Sequence, residues 1–254
     1  MKNKIVTILL AFLGLNSFVN SQKTITTIKY ETGTQYEGEV EKGIPNGKGT
    51  MQWSNGSKYT GYWKNNIKHG EGTMVWADGT RYVGNWVEDK IEGKGVMEYP
   101  NGSRYEGELI NGLRHGFGIQ TWKSGDKYNG YWIAGQQNGE GTMVWADGTR
   151  YVGNWVKDKS EGKGVMDYPN GSRYEGEWIN SLRQGLGTQT WKSGDKYIGY
   201  WSAGQQTGDG EHFWSDGSFY KGSFLNGLMH GKGKFVNKSG VVQEGNWVEN
   251  KFVP

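Results

Sequence analysis

The sequence predicts an all-β protein: an elongated single-layer antiparallel meander of about ten β-hairpins, each 23 residues long. Three observations predict it. A Tyr-x-Gly-x-large motif recurs without insertion or deletion, with tyrosines at Tyr36, Tyr59, Tyr82, Tyr105, Tyr128, Tyr151, Tyr174, Tyr197 and Tyr220. Large residues and glycines alternate with the two-residue period of a strand. Dipeptides such as Asn55-Gly56, Asp78-Gly79, Asp147-Gly148 and Asn170-Gly171 punctuate the alternation where a hairpin must turn. A fixed period of this length means one supersecondary unit stacked on copies of itself.

The chain opens with a segment of a different kind. Lys2 and Lys4 precede an apolar run from Ile5 to Leu15, too short to span a bilayer, and Val19-Asn-Ser21 suits a leader peptidase. Residues 1–21 are therefore expected to be a signal peptide and 22–254 the repeat array, exported to the periplasm, cell surface or medium. The absence of cysteine excludes a disulfide framework. A net charge of +3 is far from the concentrated positive charge of nucleic-acid binders, and nucleic acid is not an expected partner.

With each tyrosine as slot 0, the composition falls onto a grid. Glycine fills slots 2, 11, 13 and 20 almost throughout, and slot 7 in five places. All 13 tryptophans occupy slot 4 or slot 17. Thr26, Ile28, Tyr30 and Gly33 fit slots 13, 15, 17 and 20 of a leading half-repeat, and Gln243-Glu-Gly-Asn-Trp247 is a tenth copy without its tyrosine. A longer identity lies over the short one: residues 71–87 return unchanged at 140–156, three periods later.

Parity selects the turn. A two-residue loop at Asn55-Gly56 would put Trp53 and Tyr59 on opposite faces. A three-residue loop, Ser54-Asn55-Gly56, pairs Met51 with Tyr59 and Gly49 with Gly61, so the rings of slots 0, 4 and 17 share one face over the strand glycines. That loop is a type I turn closed by a left-handed glycine. The other connection, Lys64 to His69, needs even length. The opposite face is expected to carry Thr, Val, Glu, Asn and Gln.

These residues resemble the MORN repeat family, whose unit is similar to Tyr174-Glu-Gly-Glu-Trp178, His69-Gly-Glu-Gly72 and Trp214-Ser-Asp-Gly-Ser218. The departures are Val40, Leu109 and Phe224 in slot 4 and Asn237 in slot 17. The resemblance implies a MORN-type solenoid used as a scaffold, a homodimer, a groove for a partner or a lipid contact. It also warns against transferring the label of kinases that carry such repeats, because this chain shows no kinase catalytic loop.

No catalytic, cofactor or metal site is expected. His69, His115 and His230 share slot 10 and read as turn flanks, and Asp78, Asp147 and Asp216 read as turn formers. Two surfaces are candidates for binding. The aromatic face offers Tyr128, Trp132, Trp145, Tyr151, Trp155, Tyr174, Trp178 and Trp191, expected to stay partly exposed because a one-layer sheet buries little. The other face offers a basic ladder in slot 22: Lys58, Arg81, Arg104, Lys127, Arg150, Arg173 and Lys196, with Glu98 opposite Arg104 and Asp167 opposite Arg173. The first reading is a non-enzymatic exported scaffold binding a protein partner, or itself, along the aromatic face. The alternative is a module for envelope glycan or anionic lipid, through stacked rings or the ladder. A third is an accessory to a separately encoded enzyme.

Overall fold

The structure is a computed structural model that describes residues 24–254 and the backbone of 5–8. The predicted cleavage site after Ser21, and most of the leader, lie outside the described residues. The chain divides into two compact units, residues 1–123 and 124–254. In the first, a short strand, Ile5–Ile8, pairs with Thr24–Tyr30, and four hairpins follow: Gln35–Glu41 with Ile44–Gln52, Lys58–Lys64 with Ile67–Val75, Arg81–Val87 with Lys90–Glu98, and Arg104–Ile110 with Leu113–Thr121. The second has six: Lys127–Ile133 with Gln136–Val144, Arg150–Val156 with Lys159–Asp167, Arg173–Ile179 with Leu182–Thr190, Lys196–Ser202 with Gln205–Phe213, Phe219–Leu225 with Leu228–Val236, and Val242–Val248 with Lys251–Val253. Within each unit every strand pairs antiparallel with its neighbours in sequence. Every described element is a strand or a turn.

The turn that joins one repeat to the next is the three-residue one. Trp145 N–H bonds Thr149 O and Gly148 N–H bonds Trp145 O, both at 2.9 Å, with Gly148 at φ +88°. The Asp147 side chain accepts the Thr149 N–H at 2.7 Å, so this carboxylate is a turn former, and that bond holds its pKa below the usual range. The register follows as parity required: Met51 faces Tyr59 and Gly49 faces Gly61.

The connection inside each repeat differs from the sequence expectation. The turn is only two residues, such as Asn65-Asn66 with φ of +51° and +66°, and Lys64 pairs directly with Ile67. The remaining residues form a bulge: Gly61 pairs with Gly72 but Trp63 with Lys68, so His69, Gly70 and Glu71 together face Tyr62. His69, His115 and His230 are thus bulge residues inside a strand, not turn flanks. The bulge requires a left-handed residue, which slot 11 supplies as Gly70 at φ +66°.

A bulge leaves the opposing carbonyl without a ladder partner, and burying it unpaired would be costly. The tyrosine of slot 0 repairs this. Tyr59 Oη donates to Tyr62 O at 3.1 Å, Tyr151 Oη to Asn154 O at 3.2 Å, and the other seven tyrosines do the same. To reach that carbonyl the ring must lie across slots 2 and 13. A Cβ added to Gly72 would fall 2.5 Å from Tyr59 Cζ.

Successive repeats are stapled at both ends of the strands. On the three-residue-turn side, Ser57 Oγ accepts the Ala77 N–H at 3.0 Å and Asp195 Oδ1 the Ser215 N–H at 2.8 Å. On the two-residue-turn side, Asp89 N–H bonds Lys68 O while its carboxylate accepts the Lys68 N–H, both at 3.0 Å. Asp158 and Asn250 repeat this with Gln137 and Met229.

Candidate functional site

On the aromatic face the slot-0 and slot-4 side chains form a buried ladder, mostly of rings. Where slot 4 holds a ring, the slot-0 tyrosine meets that of its own repeat edge-on and then that of the next repeat: Tyr151 with Trp155 at 5.2 Å and Trp178 at 5.4 Å, then Tyr174 with Trp178 at 5.2 Å and Trp201 at 5.3 Å. These are the edge-to-face geometries that aromatic quadrupoles favour. Indole N–H groups donate back to the preceding repeat, Trp155 to Gly141 O at 3.4 Å and Trp178 to Gly164 O at 3.3 Å, whereas Trp86 Nε1 is buried without a hydrogen bond. Phe224 fits the same ladder, 5.0 Å from Tyr197, and Leu109 is buried in it.

The expectation of partial exposure is therefore corrected for six of the eight candidate rings. Tyr128, Tyr151 and Tyr174 are 0% exposed, Trp132 1%, Trp178 4% and Trp155 5%. Trp145 and Trp191, in slot 17, are the two that stay half-exposed. Interlocking with two neighbours, rather than one, is what closes the row. Burial also raises the tyrosine pKa values, to about 12 for Tyr82, Tyr105, Tyr151 and Tyr174.

The ladder of slot 22 lies on the other face and is exposed. Its arginines converge on carboxylates of slot 16. In the first unit Glu98 is shared by Arg81 at 2.9 Å and Arg104 at 3.9 Å, and Arg104 also meets Glu106 at 2.7 Å. In the second, Asp167 is shared by Arg173 at 2.7 Å and Arg150 at 3.7 Å. Lys58, Lys127 and Lys196 begin strands in register with Gln52 and Val75, with Val144, and with Thr190 and Phe213.

That same face is more apolar than its expected Thr, Val, Glu, Asn and Gln. Tyr62, Phe117, Tyr131, Leu186, Ile198 and Tyr200 are all exposed on it, and so are the cross-strand pairs Ile110–Leu113, Ile179–Leu182 and Leu225–Leu228. Three shallow grooves run between these side chains. One of about 640 Å³ is walled by Val152, Val165, Leu186, Thr188 and Ile198, with Lys163, Glu175 and Glu177. One of about 430 Å³ uses Val96, Phe117 and Ile119 with Lys94, Glu106 and Glu108. The third, about 640 Å³, uses Ile25, Thr50, Thr60 and Tyr62 with Glu37, Glu39 and Lys48. Glu39, Glu108 and Glu177 stand 69 residues apart, so the three grooves occupy equivalent places in the longer repeat. That period was the one sequence signal that could have found them.

The family model for the MORN repeat matches nine consecutive stretches: 36–58, 59–81, 82–104, 105–127, 128–150, 151–173, 174–196, 197–219 and 220–242. The chain belongs to the MORN repeat family. MORN arrays are repeat modules for interaction. Among solved structures the chain is similar to the TCP10 domain of Danio rerio CPAP in complex with a peptide of Danio rerio STIL. The identity there is 13%, with 95% of this chain and 100% of that chain covered and a TM-score of 0.42. It is also similar to the SAS-4 (dCPAP) TCP domain of Drosophila melanogaster in complex with a proline-rich motif of Ana2, at 14% identity, 70% and 90% coverage and a TM-score of 0.37. At this level of similarity neither complex informs the partners of this chain. No curated protein matches the sequence.

Two polar features of this MORN array were missed by sequence reasoning. Where glutamine replaces methionine in slot 15, arginine fills slot 9. Arg183 bonds Gln189 Oε1 at 3.0 Å and Gly204 O at 2.7 Å, with its guanidinium 4.1 Å from the Trp201 ring centre, and Arg114 bonds Gln120 likewise. His212 takes slot 15 once and is sandwiched between Trp191 at 5.2 Å and Trp214 at 4.3 Å. Its Nε2 is buried without a hydrogen bond, and burial lowers its pKa. No group of three or more His, Asp or Glu that could hold a metal ion occurs among the described residues.

Proposed function

We propose that this MORN array is a non-catalytic exported scaffold that holds a protein partner, a second copy included, along the face opposite the rings. One observation carries the reading. The slot-0 and slot-4 rings are buried in the ladder that holds the fold together, whereas exposed apolar side chains line grooves on the other side, at equivalent places every 69 residues. A groove of that kind suits a partner that presents apolar side chains with polar groups at their edge. The basic ladder serves the alternative, an anionic lipid or envelope glycan, less well, because Glu98 and Asp167 each pair with two of its arginines and offset part of their charge. Export rests on the charged and apolar pattern of residues 1–21.

The test compares the wild type with a Leu186→Glu/Ile198→Glu double variant. Both positions are exposed, so folding should survive, as circular dichroism checks. Sedimentation would measure self-association, and capture from the envelope fraction would measure binding of other proteins, each at low and high salt. Binding that resists salt and disappears in the variant supports the proposal. Binding that the variant keeps, or that salt abolishes, returns the function to the ladder.

A further inference from the structure

The aromatic face of the first unit is not closed everywhere. Between Tyr30 and Trp53, the first two slot-17 rings, lies a cleft of about 480 Å³. The equivalent interval between Trp191 and Trp214 is filled by the stacked ring of His212. Here the slot-15 residue is Met51, which is buried and offers no ring, and the interval is open. Tyr30, Trp53, Trp63 and Met51 make the apolar walls of the cleft, and the size falls within the range of small-ligand sites, roughly 300–1,000 Å³.

The polar groups at its rim narrow the ligand. Lys68 carries the only formal positive charge of the lining and Asp89 the only negative one, and the two are paired at 2.8 Å. Lys68 Nζ also stands 5.8 Å from the Trp53 ring centre and 5.2 Å from that of Trp86. The place over the rings that a cationic ligand would take is thus held by a side-chain ammonium, which would repel it. An anion meets Asp89 and finds the ammonium already paired. What remains complementary is a neutral molecule with a C–H face for the rings and hydroxyls for the rim, where Asn66, Thr32 and Thr34 supply an amide and two hydroxyls.

We propose that this cleft binds one ring of a neutral saccharide, stacked against Trp53, with its hydroxyls toward Asn66 and the Lys68–Asp89 pair. The site is separate from the protein-binding face and does not depend on that reading.

The experiment titrates the full-length chain with maltotetraose, cellotetraose and the N-acetylglucosamine tetramer. Choline chloride serves as the cationic probe and sodium gluconate as the anionic one. Calorimetry gives affinity, and saturation-transfer NMR shows whether the C–H face of the sugar contacts the protein. At least one neutral oligosaccharide should bind saturably and more tightly than either charged probe. Trp53→Ala and the less drastic, still apolar Trp53→Leu should each weaken it about tenfold or more, the usual effect of removing an aromatic anchor, and either variant suffices if the other fails to fold. Trp76→Ala, the same slot one repeat on, should keep wild-type affinity. Absence of saturable binding by all three oligosaccharides overturns the proposal. So does unchanged affinity in a folded Trp53 variant, or choline or gluconate binding more tightly than any sugar.

Discussion

Replacing Gly153 by alanine tests the packing on which the whole array depends. Gly153 has an ordinary strand conformation, so the substitution strains no backbone dihedral. The added Cβ collides instead with Tyr151 Oη, and lies 2.7 Å from Tyr151 Cζ and 2.8 Å from Gly164 Cα. Tyr151 is fully buried, edge-on to Trp155 and Trp178, and its hydroxyl is bonded to Asn154 O. The ring cannot slide without losing that bond, worth about 1 kcal/mol, and overpacking adds about 1–3 kcal/mol. Alanine restricts the unfolded chain and returns about 0.4–1 kcal/mol. The net expectation is a loss of about 1–3.5 kcal/mol, measured as a shift of the urea midpoint at constant slope. Tyr151→Phe removes the colliding oxygen, so the Gly153→Ala/Tyr151→Phe pair should cost less than the two single changes together. A single-variant loss under about 0.5 kcal/mol, the range of an exposed site, or strict additivity in the double variant, would refute the ring-over-glycine argument.

The buried tyrosines make a second prediction. Their folded pKa lies above the unfolded value of 10.0, so the neutral form is favoured in the fold. Stability should be intact below pH 10 and fall as pH rises from 10 toward about 12, with tyrosinate absorbance appearing as the fold is lost. His212 has the reverse sign. Its folded pKa lies below 6.5, so its contribution is present above that pH and lost as pH falls through it, and His212→Met should flatten stability between about pH 7 and 5. Trp155→Ala should destabilise by about 3–5 kcal/mol, as buried aromatic truncations do, and should leave partner binding unchanged in whatever fraction remains folded. If that folded fraction has lost its partner, the aromatic face is the binding surface after all. Mass spectrometry of the protein from its own cells should find Gln22 as the first residue, and an intact Met1 on soluble cytoplasmic protein would sink the export proposal.

Much of this fold could be read from the sequence because its rules are local. The 23-residue period, the two-residue alternation and the Asn-Gly or Asp-Gly pairs determine which residues are strand and which face they share. Parity alone chose the three-residue turn, and with it the opposition of Glu98 to Arg104 and of Asp167 to Arg173. The bulge at His69-Gly70-Glu71 was invisible to the same logic, because it adds two residues to one strand and so preserves every facing. Only the folded chain shows that the Tyr62 carbonyl loses its ladder partner there, and that the Tyr59 hydroxyl takes its place. Ring burial was likewise a matter of stacking. A single hairpin would leave Trp155 open, and it is the contact with Tyr128 of the preceding repeat, at 5.5 Å beside the 5.2 Å contact with Tyr151, that closes it. Once the slot-0 and slot-4 rings are enclosed in this way, most of the exposed apolar area is left to the opposite face, where Leu186, Ile198 and Tyr200 stand open. Sequence determined which side chains share a face. Tertiary stacking decided which face is core and which is surface, because burial depends on the neighbouring repeat and not on the alternation within one.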